Sequence, residues 1–116
     1  MFTIRKEFKF EAAHSLPTLP SGHKCRNLHG HSYRMIAEFS GDLDEHGFVV
    51  DLDEVKSVVD PLIELLDHKN LNSILPYPTS SEMLSKWFYD KISKCITSCT
   101  SVTINETSTI SATYKP

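Results

Sequence analysis

The sequence predicts a single α+β domain in which two helices pack on a four-stranded antiparallel sheet. Three observations lead to this prediction. Strand-type alternation marks both ends of the chain, helix-type apolar periodicity is confined to its middle, and a length of 116 residues suits one domain. The resulting order is ββααββ, and such separation of strands from helices is typical of the α+β class. We therefore treat residues 1–116 as one domain.

The two longest alternating segments predict the first two strands. In residues 2–14, Phe8, Phe10 and Ala12 share a face that ends in His14, and in residues 29–39 the odd-numbered positions share a face. Residues 15–28 contain prolines and a glycine and predict a long loop, and residues 41–47 supply turn residues.

Two amphipathic segments in the middle of the chain predict helices. The first spans residues 52–66, where Asp51 and Glu54 can form a capping box. The second begins near Thr79 or Ser80, with a capping box formed by Thr79 and Glu82. The predicted buried faces are Leu52, Val55, Val59, Leu62 and Leu66 in the first helix, and Leu84, Trp87, Phe88, Ile92 and Cys95 in the second.

Composition excludes several classes of protein. The net charge of −3 does not favour a nucleic-acid or anionic-membrane partner, and no apolar run approaches the roughly 20 residues that span a bilayer. Met1 leads directly into a patterned strand, without a signal-peptide core. The three cysteines do not suggest a disulfide framework, so we expect a reducing, cytoplasmic setting.

The tripeptide His29-Gly30-His31 predicts a metal site. Residues two apart in a strand point to the same face, so two imidazoles there can bind one ion. His14 ends the apolar face of the first strand, and hairpin pairing can bring it beside them. Three neutral histidines leave a fourth position for water or substrate, the arrangement of a catalytic zinc.

Other interpretations of the histidines stay open at this stage. A His-x-His pair on a strand can be no more than a polar face. His23, in the loop, is an alternative third ligand, whereas His46 lies in a turn-like segment where we expect it to be solvated.

Cys25 lies between Lys24 and Arg26, four residues before His29. Cationic neighbours favour a thiolate, which can act as a base or a nucleophile near the metal. The alternative is a reduced loop cysteine without a role.

Glu106 ends the third predicted strand, residues 102–106, which precedes the fourth, residues 110–114. It shares the apolar face of Val102 and Ile104, and a buried carboxylate needs a partner. A planar group with two adjacent N–H donors, such as the pyrimidine edge of a pterin, fits it bidentately. A lysine or arginine partner is the alternative.

Together these residues resemble those of the 6-pyruvoyl-tetrahydropterin synthase and 6-carboxy-tetrahydropterin synthase family. The resemblance lies in residues 10–14 (FEAAH), 22–31 (GHKCRNLHGH), 66–68 (LDH) and 106–107 (ET), in that order along nearly the whole chain. It implies the tunnelling fold, in which trimers close a twelve-stranded barrel and two trimers stack into a homohexamer. That assembly would cover the two edges of a lone sheet.

The resemblance also implies roles for individual residues. The zinc ligands would be His14, His29 and His31, the catalytic residues Cys25, Asp67 and His68, and the pterin contacts Glu106 and Thr107. Without the resemblance, residues 66–68 predict only a cap and turn. The family contacts the pterin near a Pro-Thr-Ser-Glu stretch, which is one residue longer here and makes Ser80 and Ser81 the candidates. Lys24, Arg26 and Lys69 are candidate contacts for a triphosphate, although surface cations are often simply solvated.

The short spacing from Cys25 to His29 resembles the 6-carboxy-tetrahydropterin synthase branch, which serves queuosine and 7-deazapurine synthesis. The implied reaction converts 7,8-dihydroneopterin triphosphate to 6-carboxy-5,6,7,8-tetrahydropterin, acetaldehyde and triphosphate. The alternatives are a 6-pyruvoyl-tetrahydropterin synthase, which does not cleave the side chain, and a non-enzymatic zinc- and pterin-binding protein. A mere binder would not need Cys25.

Overall fold

A long antiparallel hairpin forms the centre of the computed structural model, which describes all residues, 1–116. Strand β1 (Phe2–His14) pairs with β2 (His29–Gly41) along its whole length, from Phe2 opposite Gly41 to His14 opposite His29. The even positions of β1 and the odd positions of β2 share the buried face, as the alternation predicts. His14, His29 and His31 therefore meet at one end of the hairpin.

The rest of the sheet differs from the prediction in one respect. Strand β4 (Cys99–Asn105) pairs with β2 and β5 (Ser111–Tyr114) with β4, both antiparallel. A two-residue strand, β3 (Lys69–Asn70), adds to the other edge of β1 in parallel. The sheet is thus mixed and five-stranded, in the order β3-β1-β2-β4-β5, and not four-stranded and antiparallel. It is open at both edges and does not form a closed barrel within one chain.

Helix α1 (Leu52–Leu66) has the predicted bounds, and its cap Asp51 accepts a hydrogen bond from the Asp53 amide at 2.8 Å. Helix α2 (Ser81–Cys95) is capped by Ser80, whose hydroxyl accepts from the Met83 amide. The predicted cap at Thr79 is wrong, because the Thr79 side chain is buried against His14. Neither helix has the length and apolar character needed to cross a membrane.

Both helices contribute to one apolar core on the hairpin's buried face, and Phe10 stacks on Tyr33 within it. The predicted helical faces are correct except at two positions. Leu52, the first residue of α1, and Cys95, the last residue of α2, are exposed, whereas Ser85 is buried. The largest fully buried side chains are Tyr33, Phe10, Phe39, Phe88, Met35, Leu66, Leu71, Leu84, Ile92 and Ile104.

Candidate metal centre and active site

The three predicted metal ligands lie together where the hairpin opens into the loop. His14 is paired with His29 across the strands, and His31 is opposite Ala12 on the same face. One nitrogen from each ring lies within 4.8 Å of the others, and the ring centroids are 4.7 to 5.3 Å apart. The cluster has the geometry to hold a metal ion.

Main-chain carbonyls orient two of the rings. His14 Nδ1 donates to the Thr79 carbonyl at 2.9 Å, and His29 Nδ1 donates to the Asn27 carbonyl at 2.7 Å. A carbonyl oxygen can only accept, so each Nδ1 carries the proton and each Nε2 presents a lone pair. Such outer contacts are typical of histidines that bind a metal through the other nitrogen. Burial also lowers the pKa of His14, which favours the neutral ring that a metal requires.

The polar atoms at this site fit a cation. His14 Nε2 and His31 Nε2 are buried and have no hydrogen-bond partner. Buried polar atoms without partners are rare, and two such nitrogens on neighbouring rings match the donor set of zinc. His23, the alternative ligand, instead accepts from the Cys25 amide through Nδ1. His46 is exposed, as expected.

Cys25 lies in a 3-10 turn (Lys24–Arg26) within the loop between β1 and β2. Its carbonyl accepts from the Leu16 amide at 2.9 Å, which ties the turn to the chain just beyond β1. An open cavity of about 1000 Å³ is lined by Cys25 and by all three histidines. Its size suits a small-molecule ligand.

Four predicted substrate contacts line this same cavity, namely Glu106, Thr107, Ser80 and Ser81. Glu106 follows β4 directly, and its side chain is about one quarter exposed. Its Oε1 lies 3.3 Å from His31 Nε2 and 3.6 Å from His14 Nε2. No lysine or arginine pairs with this carboxylate, so it is available to a ligand or a metal.

The three candidate phosphate contacts differ in their surroundings. Lys24 lines the cavity, whereas Lys69 belongs to β3 and lines a different one. Arg26 donates through one nitrogen to the carbonyls of Pro17 and Leu19, each at 2.8 Å. Arg26 therefore holds the loop in shape, and only its remaining N–H groups could reach a phosphate.

Asp67 and His68 lie side by side, with Asp67 Oδ1 3.1 Å from His68 Nδ1. The same oxygen accepts from the Glu11 amide at 2.8 Å, and this bond is the main cause of a lowered pKa for Asp67. His68 has a positive φ of 59°, and its side chain is 78% exposed. His68 lines a neighbouring cavity that shares Gly30 and His31 with the one lined by Cys25. One chain thus pairs Asp67 with His68 but does not bring them into the Cys25 cavity.

Two residues of the site were not predicted from the sequence. Thr79 holds His14 through its carbonyl and, at 3.1 Å, its hydroxyl. Tyr33 is fully buried beside His31, its hydroxyl has no partner, and burial together with the Glu106 charge raises its pKa. Tyr33 has an odd number, as His29 and His31 do, so strand alternation places it on their face of β2. This pattern could have identified it.

The fold and the cavity define a class of protein: an α+β fold with a three-histidine cluster that can hold a metal ion, in a cavity that a cysteine also lines. The family model described as 6-pyruvoyl tetrahydropterin synthase matches residues 3–116. The chain belongs to this family.

Individual relatives carry several names. A 6-carboxy-5,6,7,8-tetrahydropterin synthase from Synechocystis sp. is 38% identical over 122 residues, which cover 98% of this chain and 93% of that protein. A dihydroneopterin monophosphate aldolase from Pyrococcus furiosus is 34% identical over 85 residues, 73% of this chain and 69% of that protein. The solved structure of Caenorhabditis elegans 6-pyruvoyl tetrahydropterin synthase has a TM-score of 0.90 at 27% identity, covering 99% of this chain and 95% of that one.

Proposed function

We propose that this chain is a zinc-dependent lyase, a 6-carboxy-5,6,7,8-tetrahydropterin synthase. Its substrate is 7,8-dihydroneopterin triphosphate, its products are 6-carboxytetrahydropterin, acetaldehyde and triphosphate, and its product serves synthesis of queuosine and other 7-deazapurines. One observation carries the proposal: the cavity that holds the three histidines is also lined by Cys25 and Glu106. The Synechocystis relative bears the name of this activity.

The residues divide the chemistry among them. Glu106 accepts two N–H groups of the pterin ring and fixes its orientation, with Thr107, Ser80 and Ser81 around it. Zinc held by the histidines supplies a Lewis acid for the hydroxyls of the substrate side chain. Cys25, on the turn above the ligands, removes and returns protons at the carbons of that side chain.

Asp67 and His68 complete the proton path from a neighbouring copy of the chain. Within one chain they do not line the Cys25 cavity, yet their side chains are accessible and already paired. Asp67 orients His68, and His68 exchanges protons with Cys25 of the adjacent subunit. This role requires a homo-oligomer, which we propose to be a trimer or a hexamer of two trimers.

The triphosphate and the cellular setting follow from charge and thiol chemistry. Lys24, which lines the cavity, contacts the triphosphate, and Arg26 and Lys69, which do not line it, are further candidates. All three cysteines are free thiols, which suits the cytoplasm.

Product analysis tests the proposal. Metal-replete protein is incubated with 7,8-dihydroneopterin triphosphate, and the pterin product is identified by mass spectrometry. We expect 6-carboxytetrahydropterin together with acetaldehyde. A 6-pyruvoyl product without acetaldehyde would instead support the second candidate, which the C. elegans structural likeness favours. Binding without any turnover would leave a non-enzymatic zinc- and pterin-binding protein.

Elemental analysis tests the metal. We expect about one zinc per chain, and His31→Ala should lose most of it, because two ligands hold zinc far less tightly than three. His46→Ala is the matched control, since His46 is exposed and outside the cluster. Zinc content that stays at the wild-type level in alanine variants of all three ligands would contradict the site.

A further inference from the structure

Glu106 lies close to ring nitrogens of two histidines. The Thr79 carbonyl fixes the proton of His14 on Nδ1, so His14 Nε2 presents a lone pair. Glu106 Oε1, itself an acceptor, lies 3.6 Å from that nitrogen and 3.3 Å from His31 Nε2. Neither nitrogen has a hydrogen-bond partner. A cation between Glu106 Oε1 and His14 Nε2 would replace the repulsion of these two acceptors with attraction to a shared charge.

One of the two distances matches the edge of a metal coordination tetrahedron. Zinc binds nitrogen and oxygen ligands at about 2.0–2.1 Å, and in a tetrahedron the ligand atoms are then about 3.3–3.4 Å apart. The separation of Glu106 Oε1 from His31 Nε2 is 3.3 Å, and that from His14 Nε2 is longer, at 3.6 Å. The carboxylate oxygen thus lies at the distance of a fourth ligand from His31, and a small movement would bring it to that distance from His14.

Resting on the proposed function, we infer that Glu106 has two positions in the working cycle. Without substrate, its carboxylate is the fourth ligand of the metal held by His14, His29 and His31. When a pterin ring enters, the carboxylate moves to the N–H groups of the ring and vacates the metal for the substrate hydroxyls. Ring recognition therefore opens the coordination position, and the metal is not exposed to water before the substrate arrives.

The exchange has a thermodynamic consequence. A ligand that removes Glu106 from the metal weakens metal binding, and coupling of this kind is reciprocal. A pterin without a side chain would bind the Glu106 carboxylate through its ring N–H groups but would have no hydroxyl to bind the metal. It should therefore lower the affinity for zinc, whereas a ligand with side-chain hydroxyls should restore it.

Metal binding by the substrate-free protein provides the first test. Metal-free wild type, Glu106→Gln and Glu82→Gln are titrated with zinc against a chromogenic chelator. Glu82 lines the same cavity and is exposed, so Glu82→Gln is the matched control for loss of a nearby charge. We expect the zinc affinity of Glu106→Gln to fall by about tenfold or more, and that of Glu82→Gln to change by less than about twofold.

Cobalt(II) in place of zinc provides the second test, because its visible spectrum reports the ligands directly. The spectrum of Glu106→Gln should differ from that of wild type, and side-chain-free pterin should shift the wild-type spectrum and weaken its metal binding. A Glu106→Gln spectrum identical to wild type, with or without a drop in affinity, overturns the inference. If the Glu106→Gln variant has a wild-type spectrum but no longer binds pterin, Glu106 is not a metal ligand, and its proposed role in holding the pterin is still supported. If the wild type binds neither zinc nor pterin, the proposed function fails as well.

Discussion

Thr79 shows how a residue without charge prepares a metal ligand. It lies just before α2, and its carbonyl accepts from the Nδ1 of His14, 65 positions earlier in the chain. The His-Gly-His spacing and the end of the apolar stripe made the three ligands predictable from the sequence, because strand geometry fixes which side chains share a face. The contact with Thr79 depends on how α2 docks against the hairpin, and no local pattern encodes that docking.

Cys25 is the residue whose loss separates chemistry from binding. Its turn is held by backbone bonds and by His23, so Cys25→Ala should fold, keep its zinc and bind substrate. Turnover should fall by at least about a hundredfold, the lower range for a positioned proton-transfer group. Stopped-flow or steady-state product assays measure turnover, and elemental analysis measures zinc content on the same preparation.

The other cysteines supply the controls for this variant. Cys95 is exposed and lies outside the cavity, so Cys95→Ala should retain full activity. In the Cys95→Ala background, Cys25 is the accessible thiol, because Cys99 is buried. Alkylation should therefore inactivate the protein through Cys25, and bound substrate should slow this inactivation. A Cys25→Ala variant that forms product at a near wild-type rate would falsify the acid–base role, and one that loses zinc would make Cys25 a metal ligand.

At the scale of elements, the N-terminus of α2 links helix stability to the metal site. Ser80 caps the helix, and the residue on each side of it serves the cavity: Thr79 holds His14, and Ser81 lines the wall. Ser80→Ala should lower the free energy of unfolding by about 1 kcal/mol, as loss of a cap does. It should also weaken zinc binding by about three- to tenfold, because the Thr79 carbonyl loses its fixed position.

The cap of α1 provides the comparison. Asp51→Ala removes an equivalent bond, to the Asp53 amide, at a helix none of whose residues lines the cavity of the three histidines. Denaturant unfolding of the metal-free variants should show similar losses of stability, while chelator competition should show weaker zinc binding in Ser80→Ala alone. Equal zinc affinities in the two variants would mean that the cap does not act on His14.

The sequence predicted those elements whose apolar residues recur with the period of a helix or a strand. Helix α1 has the predicted bounds of 52–66, since its cap and apolar stripe are both local signals. Strand β3 has only two residues and forms because Asp67 and His68 bind the backbone of Glu11, a contact between distant segments. The α2 cap was placed one residue early because Thr79, equally suited to the role, is held by His14 instead.

For the whole molecule, the sheet edges are the feature that calls for a partner. Strand β1 has 13 residues, yet β3 covers only Ala12 and Ala13 on its outer edge and Asp67 and His68 bind the backbone of Glu11, so residues 2–10 leave an open edge. Strand β5 leaves the opposite edge open. Open edges favour pairing with another chain. Because the two open edges belong to different strands, the β1 edge of one chain can pair with the β5 edge of the next, which permits a head-to-tail ring. The family resemblance, not the pattern of residues, predicted the size of that ring, which light scattering can measure against the 13.2 kDa of one chain.

Mixing two inactive variants tests whether neighbouring chains share the active site. Cys25→Ala lacks the cavity thiol, and His68→Ala lacks its partner, so each homo-oligomer should be inactive. In a mixed ring, a His68→Ala subunit retains Cys25 in its cavity, and a Cys25→Ala subunit retains His68. A site formed by the cavity of the first and His68 of the second has both residues and is intact. Random mixing in equal amounts makes about one site in four intact, so activity should recover to about a quarter of wild type.

The control pair is Cys25→Ala with His14→Ala. Both residues line one cavity of one chain, so every cavity in a mixed ring still lacks one of them and no activity should return. Co-expression with two different tags, followed by two-step purification, ensures that the assayed rings are mixed. If verified mixed rings of Cys25→Ala and His68→Ala stay inactive, His68 does not serve the cavity of its neighbour. The open edges of the sheet would then be covered for stability alone, and the proton partner of Cys25 would have to come from the residues that line its own cavity.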